Sequence, residues 1–196
     1  MEKIMKVVAF CGSARKNGNT VLLLETVLEA LAKAGIETEL VQMAGKEIHG
    51  CRACSGCFKN KDGRCVFDDD IVNDCVAKMK GADGIILGSP TYFADVSSEM
   101  KALIDRCGMV SKATDDMLKR KLGAAVVAVR RAGAMHAFQT MNSFFLISQM
   151  IVVGSKYWNI GIGREKGEVA KDDEGMSIMQ TLGENMAWLL QKVNTD

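Results

Sequence analysis

Four cysteines crowd one polar stretch of the chain: Cys51, Cys54, Cys57 and Cys65, with gaps of two, two and seven residues. Thiolates at this spacing can wrap one compact centre, and an iron–sulfur cluster takes four of them. Zinc also accepts four cysteines, but structural zinc sites commonly pair two Cys-x2-Cys knuckles set farther apart. Metal-free thiols or a disulfide complete the alternatives, which the spacing alone leaves open. A second set is built for anions. Gly12-Ser13-Ala14-Arg15-Lys16-Asn17-Gly18-Asn19-Thr20 follows an apolar run and opens a helical pattern. A helix start offers unpaired N–H groups and the positive end of its dipole. Ser13, Asn17, Asn19 and Thr20 add short donors, and Arg15 adds a fixed cation.

The anion loop is not a Walker A sequence, because it lacks the Gly-Lys-Ser/Thr ending, and it is not Gly-x-Gly-x-x-Gly. A plain turn into a capped helix is its alternative. Ser89-Pro90-Thr91-Tyr92-Phe93 contains the one proline of the chain. Pro90 stiffens it, and Tyr92 and Phe93 offer flat apolar surface with one hydroxyl, suited to a planar ring. A turn carrying two core aromatics is the alternative there. Arg130-Arg131-Ala132-Gly133 could bring a guanidinium to the edge of such a ring, or form a solvated basic pair.

These loops need elements to aim them. Val7-Val8-Ala9-Phe10-Cys11 is a continuous apolar run of strand length, which suits a strand buried on both faces of a parallel sheet. Leu24, Val27, Leu28 and Leu31 then recur at helical spacing, and Gly35 closes that helix. Strands are expected at 36–43, 84–88, 124–129 and 150–153. Helices are expected around Ile71–Met79, Met100–Cys107, Met135–Gln149 and Met179–Val193. Residues 44–70 show neither period, and a stretch this long inside a compact domain is usually functional or disordered. The segment 161–175 is polar and rich in Gly. Five strands alternating with helices give an α/β fold with a mainly parallel sheet and helices on both faces. The loops after strands one, three and four share the carboxyl edge, where such sheets bind ligands.

At 196 residues the chain suits one domain with a sizeable core. Its 25 basic and 24 acidic residues lack the basic excess of a dedicated nucleic-acid binder. No run approaches the roughly 20 apolar residues of a membrane span. Met1-Glu2-Lys3-Ile4-Met5-Lys6 leads straight into a strand, without a signal-peptide apolar region. The expected location is the cytoplasm, where seven cysteines do not suggest a disulfide framework.

Taken together, Gly12-Ser13-Ala14-Arg15 with Asn17-Gly18-Asn19-Thr20, Gly88-Ser89-Pro90-Thr91-Tyr92 and Lys101-Ala102-Leu103-Ile104-Asp105-Arg106 resemble the NADPH-dependent FMN reductases of flavodoxin-like fold. The cysteine run, with Asp68-Asp69-Asp70 after it, resembles their iron–sulfur flavoprotein branch. The resemblance covers nearly the whole chain, in order. It implies a three-layer sandwich with a five-stranded parallel sheet in the order 2-1-3-4-5. A single domain would span 1–196, with a Cys-rich insertion at about 44–70. It implies an FMN whose phosphate lies against Gly12, Ser13, Ala14, Arg15, Asn17, Asn19 and Thr20. The isoalloxazine would lie against Ser89, Pro90, Thr91, Tyr92 and Phe93, helped by Arg131 and Gly133. The family's third loop often carries Gly-Gly, where this chain has Ala132-Gly133. Cys51, Cys54, Cys57 and Cys65 become provisional ligands of a [4Fe–4S] cluster. A homodimer or homotetramer is implied, with NAD(P)H or a ferredoxin-like protein as donor and a small molecule as acceptor.

The expected function is therefore an FMN-dependent oxidoreductase with no essential side-chain acid, base or nucleophile. A non-enzymatic electron carrier or redox sensor is the rival, and a nucleotide-binding domain without flavin is the third option. Several residues read as structural. Cys11, Cys75 and Cys107 sit in apolar patterns as small hydrophobes. Asp68–Asp70 caps the next helix, and His49 and His136 are loop and helix-start residues without a ligand role. Lys101, Asp105 and Arg106 form the exposed side of their helix.

Overall fold

The computed structural model describes residues 4–193, so the expectation drawn from the first three residues lies outside the described part. In chain order the elements are β1 (Lys6–Cys11), α1 (Asn19–Lys33), β2 (Glu37–Gln42), α2 (Gly56–Asn60), α3 (Val72–Gly81), β3 (Gly84–Pro90), α4 (Ser98–Ala113), β4 (Leu122–Val129), α5 (Ala134–Ile147), β5 (Ile151–Val152), β6 (Ile160–Ile162) and α6 (Asp173–Val193). A short 3₁₀ turn, Glu168–Lys171, precedes α6. Strand order is β2-β1-β3-β4-β5, with every pairing parallel, as expected.

The continuous apolar runs have a direct cause. Along β1, Val8 and Phe10 enter one core, shared with α3, α4 and α5, while Val7, Ala9 and Cys11 enter another, shared with α1 and α6. β4 divides the same way, with Ala125 and Val127 on one side and Ala124 and Val126 on the other. A strand covered on both faces has no polar side to alternate with.

The fifth strand position differs from expectation. β5 pairs only Leu122 and Gly123, and β6 takes the other end of the same edge, with Ile160 opposite Val127 and Ile162 opposite Val129. Between them, Asn159 donates its side-chain amide to Ala125 O at 3.0 Å and accepts Val127 N–H on its carbonyl at 2.9 Å. The polar, Gly-rich segment 161–175 thus contains a strand end, the 3₁₀ turn and the start of α6. Three residues are too few for a period-2 signal, and Gly161 lowers it further. That glycine is required, because a Cβ there would lie 2.6 Å from Leu23 and 2.7 Å from Val169.

Among the described residues no helix is long and apolar enough to cross a membrane. α1 and α6 pack closely on one face of the sheet. A Cβ on Gly183 would meet Ala30 Cβ and Val27 O at 2.6 Å each. Gly183→Val should therefore destabilise the protein by about 1–3 kcal/mol, the usual cost of overpacking, as a lower urea midpoint at unchanged slope.

Candidate functional site

The carboxyl edge of the sheet holds a cleft of about 420 Å³. One wall is the β1–α1 loop. Gly18, the N-cap of α1, has no side chain to cap the helix, and the first turn contains no acid. Its N–H groups therefore stay open to an anion, with the dipole's positive end behind them. Ser13, Arg15 and Thr20 line the cleft beside them. Ser13 Oγ also accepts Arg15 N–H at 3.2 Å, which folds the loop back on itself. Asn17 turns the chain at φ 51°, the left-handed region that Asn tolerates.

The opposite wall is the β3–α4 connection. Tyr92 and Asp95 exchange both main-chain hydrogen bonds, at 2.8 and 3.2 Å, closing a tight turn. Its two central residues, Phe93 (φ 45°) and Ala94 (φ 70°), are both left-handed without being glycine. Such strain persists where the surroundings enforce it and collects at functional sites. Pro90, Thr91 and Tyr92 line the cleft. Thr91 Oγ1 is buried with no hydrogen-bond partner, a polar atom that a ligand would satisfy.

The two walls are tied together beneath the cleft. Ser97 Oγ donates to Gly12 O at 2.6 Å and accepts Met100 N–H at 3.2 Å, capping α4. Ser89 Oγ accepts Ser97 N–H at 3.0 Å. Gly12 allows this approach, since its Cβ would sit 2.8 Å from Met100 Cβ and 2.9 Å from Ser97 Oγ.

Of the expected contacts, Ser13, Arg15, Asn19, Thr20, Pro90, Thr91 and Tyr92 therefore gather around one cleft. Gly12 and Ser89 lie buried under it as supports. Ala14 and Asn17 stand on the exposed rim of the loop. Phe93 is fully exposed at the tip of its turn, outside the cleft. Arg130 lines the cleft, whereas Arg131 and Gly133 line a neighbouring hollow with His136 and Trp158. Gly133 starts α5 at φ 86° and packs 3.2 Å from Ala94, measured from an added Cβ. Asn19 spends its side chain differently from expectation. Its amide donates to Gly163 O (3.1 Å) and Glu165 O (2.9 Å), and its oxygen accepts Gly167 N–H (2.8 Å). What it offers an anion is its main-chain N–H. This clamp brings Gly163, Arg164, Glu165 and Lys166 to the rim as a third wall. The Gly-rich composition of 161–175 was the only sequence signal for it.

The cysteine loop docks on α4. All four of its cysteines are free, Cys51 and Cys54 exposed, Cys57 and Cys65 half-buried. The chain winds between them through left-handed residues, Ala53 (φ 50°) and Ser55 (φ 57°), before the short helix α2. Burial pushes the Cys57 thiol up, and the nearness of Cys65 and Cys51 pushes it further. Cys57 Sγ reaches Met109 O of α4 at 3.9 Å. Buried Asn73 grips the main chain of Cys65 from both sides, accepting its N–H at 2.8 Å and donating to its carbonyl at 3.0 Å. Among the described residues no three cysteine sulfurs lie within 4.8 Å of one another. A tetrahedral zinc with Zn–S of about 2.3 Å would hold its sulfurs roughly 3.8 Å apart. Four thiols are the donor set that either a zinc ion or a four-iron cluster takes.

Here the structure overturns one expectation. Arg106 is not on the exposed side of α4. Lys101 and Asp105 are, paired at 2.5 Å. Arg106 is 2% exposed and forms an ion pair with the fully buried carboxylate of Asp70. It also donates to His49 O (3.2 Å) and Phe67 O (2.9 Å). Asp70 in turn accepts His49 N–H (2.8 Å) and Val72 N–H (3.0 Å), so it ties down the loop as well as starting α3. The helical period failed because the Cys loop, not solvent, covers this face of α4. His49 meets the pair through its main chain, and its side chain is exposed, as is that of His136. Cys11, Cys75 and Cys107 are buried, as expected. Burial pushes Cys11 up to about 11 and Cys75 up to about 12.

Comparison with known proteins bears on both sites. The sequence pattern of the family described as NADPH-dependent FMN reductase matches residues 5–165. An iron–sulfur flavoprotein of Methanocaldococcus jannaschii is 40% identical, over 96% of this chain and 99% of its own. The iron–sulfur flavoprotein of Methanosarcina thermophila is 32% identical, over 96% of this chain and 97% of its own. Among solved structures, a WrbA-like flavodoxin from Agrobacterium tumefaciens superposes with a TM-score of 0.67 at 15% identity, covering 97% of this chain and 99% of that one. That likeness fixes the flavodoxin-like fold.

The two classes of cysteine should separate by reactivity. In the metal-free folded protein, maleimide should label Cys51 and Cys54 first, and Cys11, Cys75 and Cys107 only after denaturation. Peptide mapping by mass spectrometry reads the order, and early labelling of Cys75 or Cys107 would contradict their burial.

Proposed function

The chain belongs to the NADPH-dependent FMN reductase family and is a flavin-dependent oxidoreductase, and from that premise we propose that it binds FMN in the cleft of the carboxyl edge and an iron–sulfur cluster in the loop beside it. The observation that carries the first half is the uncapped start of α1 facing the unpartnered hydroxyl of Thr91 across one cleft. The phosphate is held by the main-chain N–H groups of Asn19 and Thr20, with Ser13, Thr20 and Arg15. Pro90, Thr91 and Tyr92 support the ring system, and Arg130 stands on the same wall. When bound, FMN supplies hydride and one-electron chemistry.

The protein's part is orientation and charge. The Ser97 bridge to Gly12 holds the phosphate loop and the ring loop at a fixed separation. The Asn19 clamp brings Arg164 and Lys166 to the rim, where they add positive charge near the anion. No side chain in the cleft is needed as nucleophile, acid or base. Cys51, Cys54, Cys57 and Cys65 hold the cluster as thiolates, and the four free sulfurs with the left-handed turns at Ala53 and Ser55 support this. The relatives' name, iron–sulfur flavoprotein, points the same way. The electron donor is then a ferredoxin-like protein or NAD(P)H, and the acceptor a small molecule. A single domain of this kind works as a homodimer or homotetramer. The exposed aromatic surface of Tyr157 and Trp158 favours self-association.

Protein purified without oxygen should carry FMN and about four irons per chain. Gly18→Asp caps α1 and sets a carboxylate where the phosphate belongs. It should weaken FMN binding at least about tenfold, roughly 1.4 kcal/mol, by fluorescence titration, without loss of stability. Cys54→Ala should lose iron and keep FMN. A protein that takes up no FMN would sink the first half of the proposal, and fewer than about one iron per chain in the parent protein would sink the second.

A further inference from the structure

From Ala132 to Ser155 the chain carries no Asp, Glu, Lys or Arg, although these make up 25% of its residues. The stretch holds α5 and β5. The inner side of α5 buries Ala137, Met141 and Phe145, and a Cβ on Gly123 of β4 would lie 2.7 Å from the Phe145 ring. The outer side carries Met135, Gln139, Ser143, Leu146 and Ile147, all exposed. Leu146 and Ile147 are 66% and 68% exposed. A helix that faces water normally sets charged side chains there, as α1 does with exposed Glu25, Glu29 and Lys33. β5 continues the patch. It is the last strand of the sheet, its Ile151 and Val152 are exposed, and no charged side chain within it guards the open edge. Tyr157 and Trp158 follow, half or more exposed, with Trp158 held against Phe138 of α5 at 5.9 Å between ring centres. Leu146, Ile147, Ile151, Val152, Tyr157 and Trp158 together expose on the order of 700 Å², close to the ~800 Å² that each partner of a standard interface covers.

We propose that the outer face of α5, with β5 and Trp158, is where a second copy of this chain docks, and that the docked copy covers the hollow beside the cofactor cleft. The proposal rests on the reading of the protein as a homo-oligomer and assigns its surface. Two observations select a second copy. The exposed area matches one half of an isologous contact, in which the same patch serves both chains. The face also offers no formal charge of either sign, so an acidic or basic partner finds nothing to pair with, whereas its own copy meets it without repulsion. A lipid surface fits less well, because helices that lie on membranes carry Lys or Arg on their polar side, and α5 has none. The consequence reaches the site. The hollow of about 540 Å³ next to the cleft shares Val129 with it, and Met135 and Trp158 of the docking face are part of its wall. A second copy seated on this face therefore closes, from outside, a chamber that a single chain leaves open.

The test joins sedimentation velocity with hydroxyl-radical footprinting of the full-length protein as purified without oxygen. Oxidation of Leu146, Ile147 and Trp158, read by mass spectrometry, should be about tenfold slower than in the unfolded chain, as for residues in an interface core, whereas a lone chain with Trp158 50% exposed would slow that residue only about twofold. Oxidation of these residues at the lone-chain rate overturns the proposal. Leu146→Lys/Ile147→Lys sets two cations in the last turn of α5, where the helix dipole favours them, so the fold should hold. This variant should sediment at half the parent's number of copies, with Trp158 oxidised about fivefold faster as it returns to the exposure of a lone chain. A folded variant that keeps the parent's size overturns the proposal. Should the variant not fold, the footprint of the unaltered protein decides. A parent that sediments as a single copy ends the homo-oligomer reading and the proposal with it. An oligomeric parent with unprotected α5 ends the proposal alone.

Discussion

A parallel sheet buried on both faces leaves one place for polar chemistry. Helices cover its two sides, so groups that must meet solvent or ligand collect at the edge where the strands end. In this protein β1, β3 and β4 all run into that edge together, because parallel pairing gives them a common direction. The same arrangement sets the start of α1 there with its N–H groups outward. The uncapped start of α1, the strained turn at Phe93–Ala94 and the rim residues 163–166 are consequences of one topological constraint.

Holding that edge in shape falls to a few buried polar contacts. Ser97 caps α4 by accepting Met100 N–H, a bond usually worth about 1 kcal/mol, and the same hydroxyl donates to Gly12 O and fixes the gap between two cleft walls. Asn19 does the same for the third wall, using both ends of its amide. Each bond is modest, but each carries geometry as well as energy. The glycines at 12 and 161 are the steric counterpart, since a Cβ at either would strike a neighbour below 3 Å.

The cysteine loop is joined to this frame by a different device. Its sequence has no apolar period to bury, so it cannot dock by hydrophobic area alone. It docks through Arg106, Asp70 and Asn73, each buried and each bonded to loop main chain. A buried ion pair gives little net stability against an apolar replacement, whereas losing one partner costs about 3–5 kcal/mol. Such a contact fixes one arrangement of the loop more than it strengthens the fold. This matters for a segment that, on the proposed reading, holds a cluster by four sulfurs.

What the sequence determined follows from its repeating patterns. Val7–Cys11 and 124–129 read as strands covered on both faces, and Leu24 to Leu31 as a core-facing helix, and the structure has them so. The anion loop, the aromatic loop and the four cysteines announced themselves by residue type and local spacing. What only the tertiary structure decided involves residues far apart in the chain. Asn19 looked like an anion donor and became a clamp, because its partners lie about 145 positions away. Arg130, not Arg131, lines the cleft, because successive residues leaving a strand point to opposite sides. Arg106 read as solvent-facing because helical period describes one helix, not the aperiodic loop that folds over it. A buried polar side chain is legible only from its partners, and those partners come together only when the chain folds.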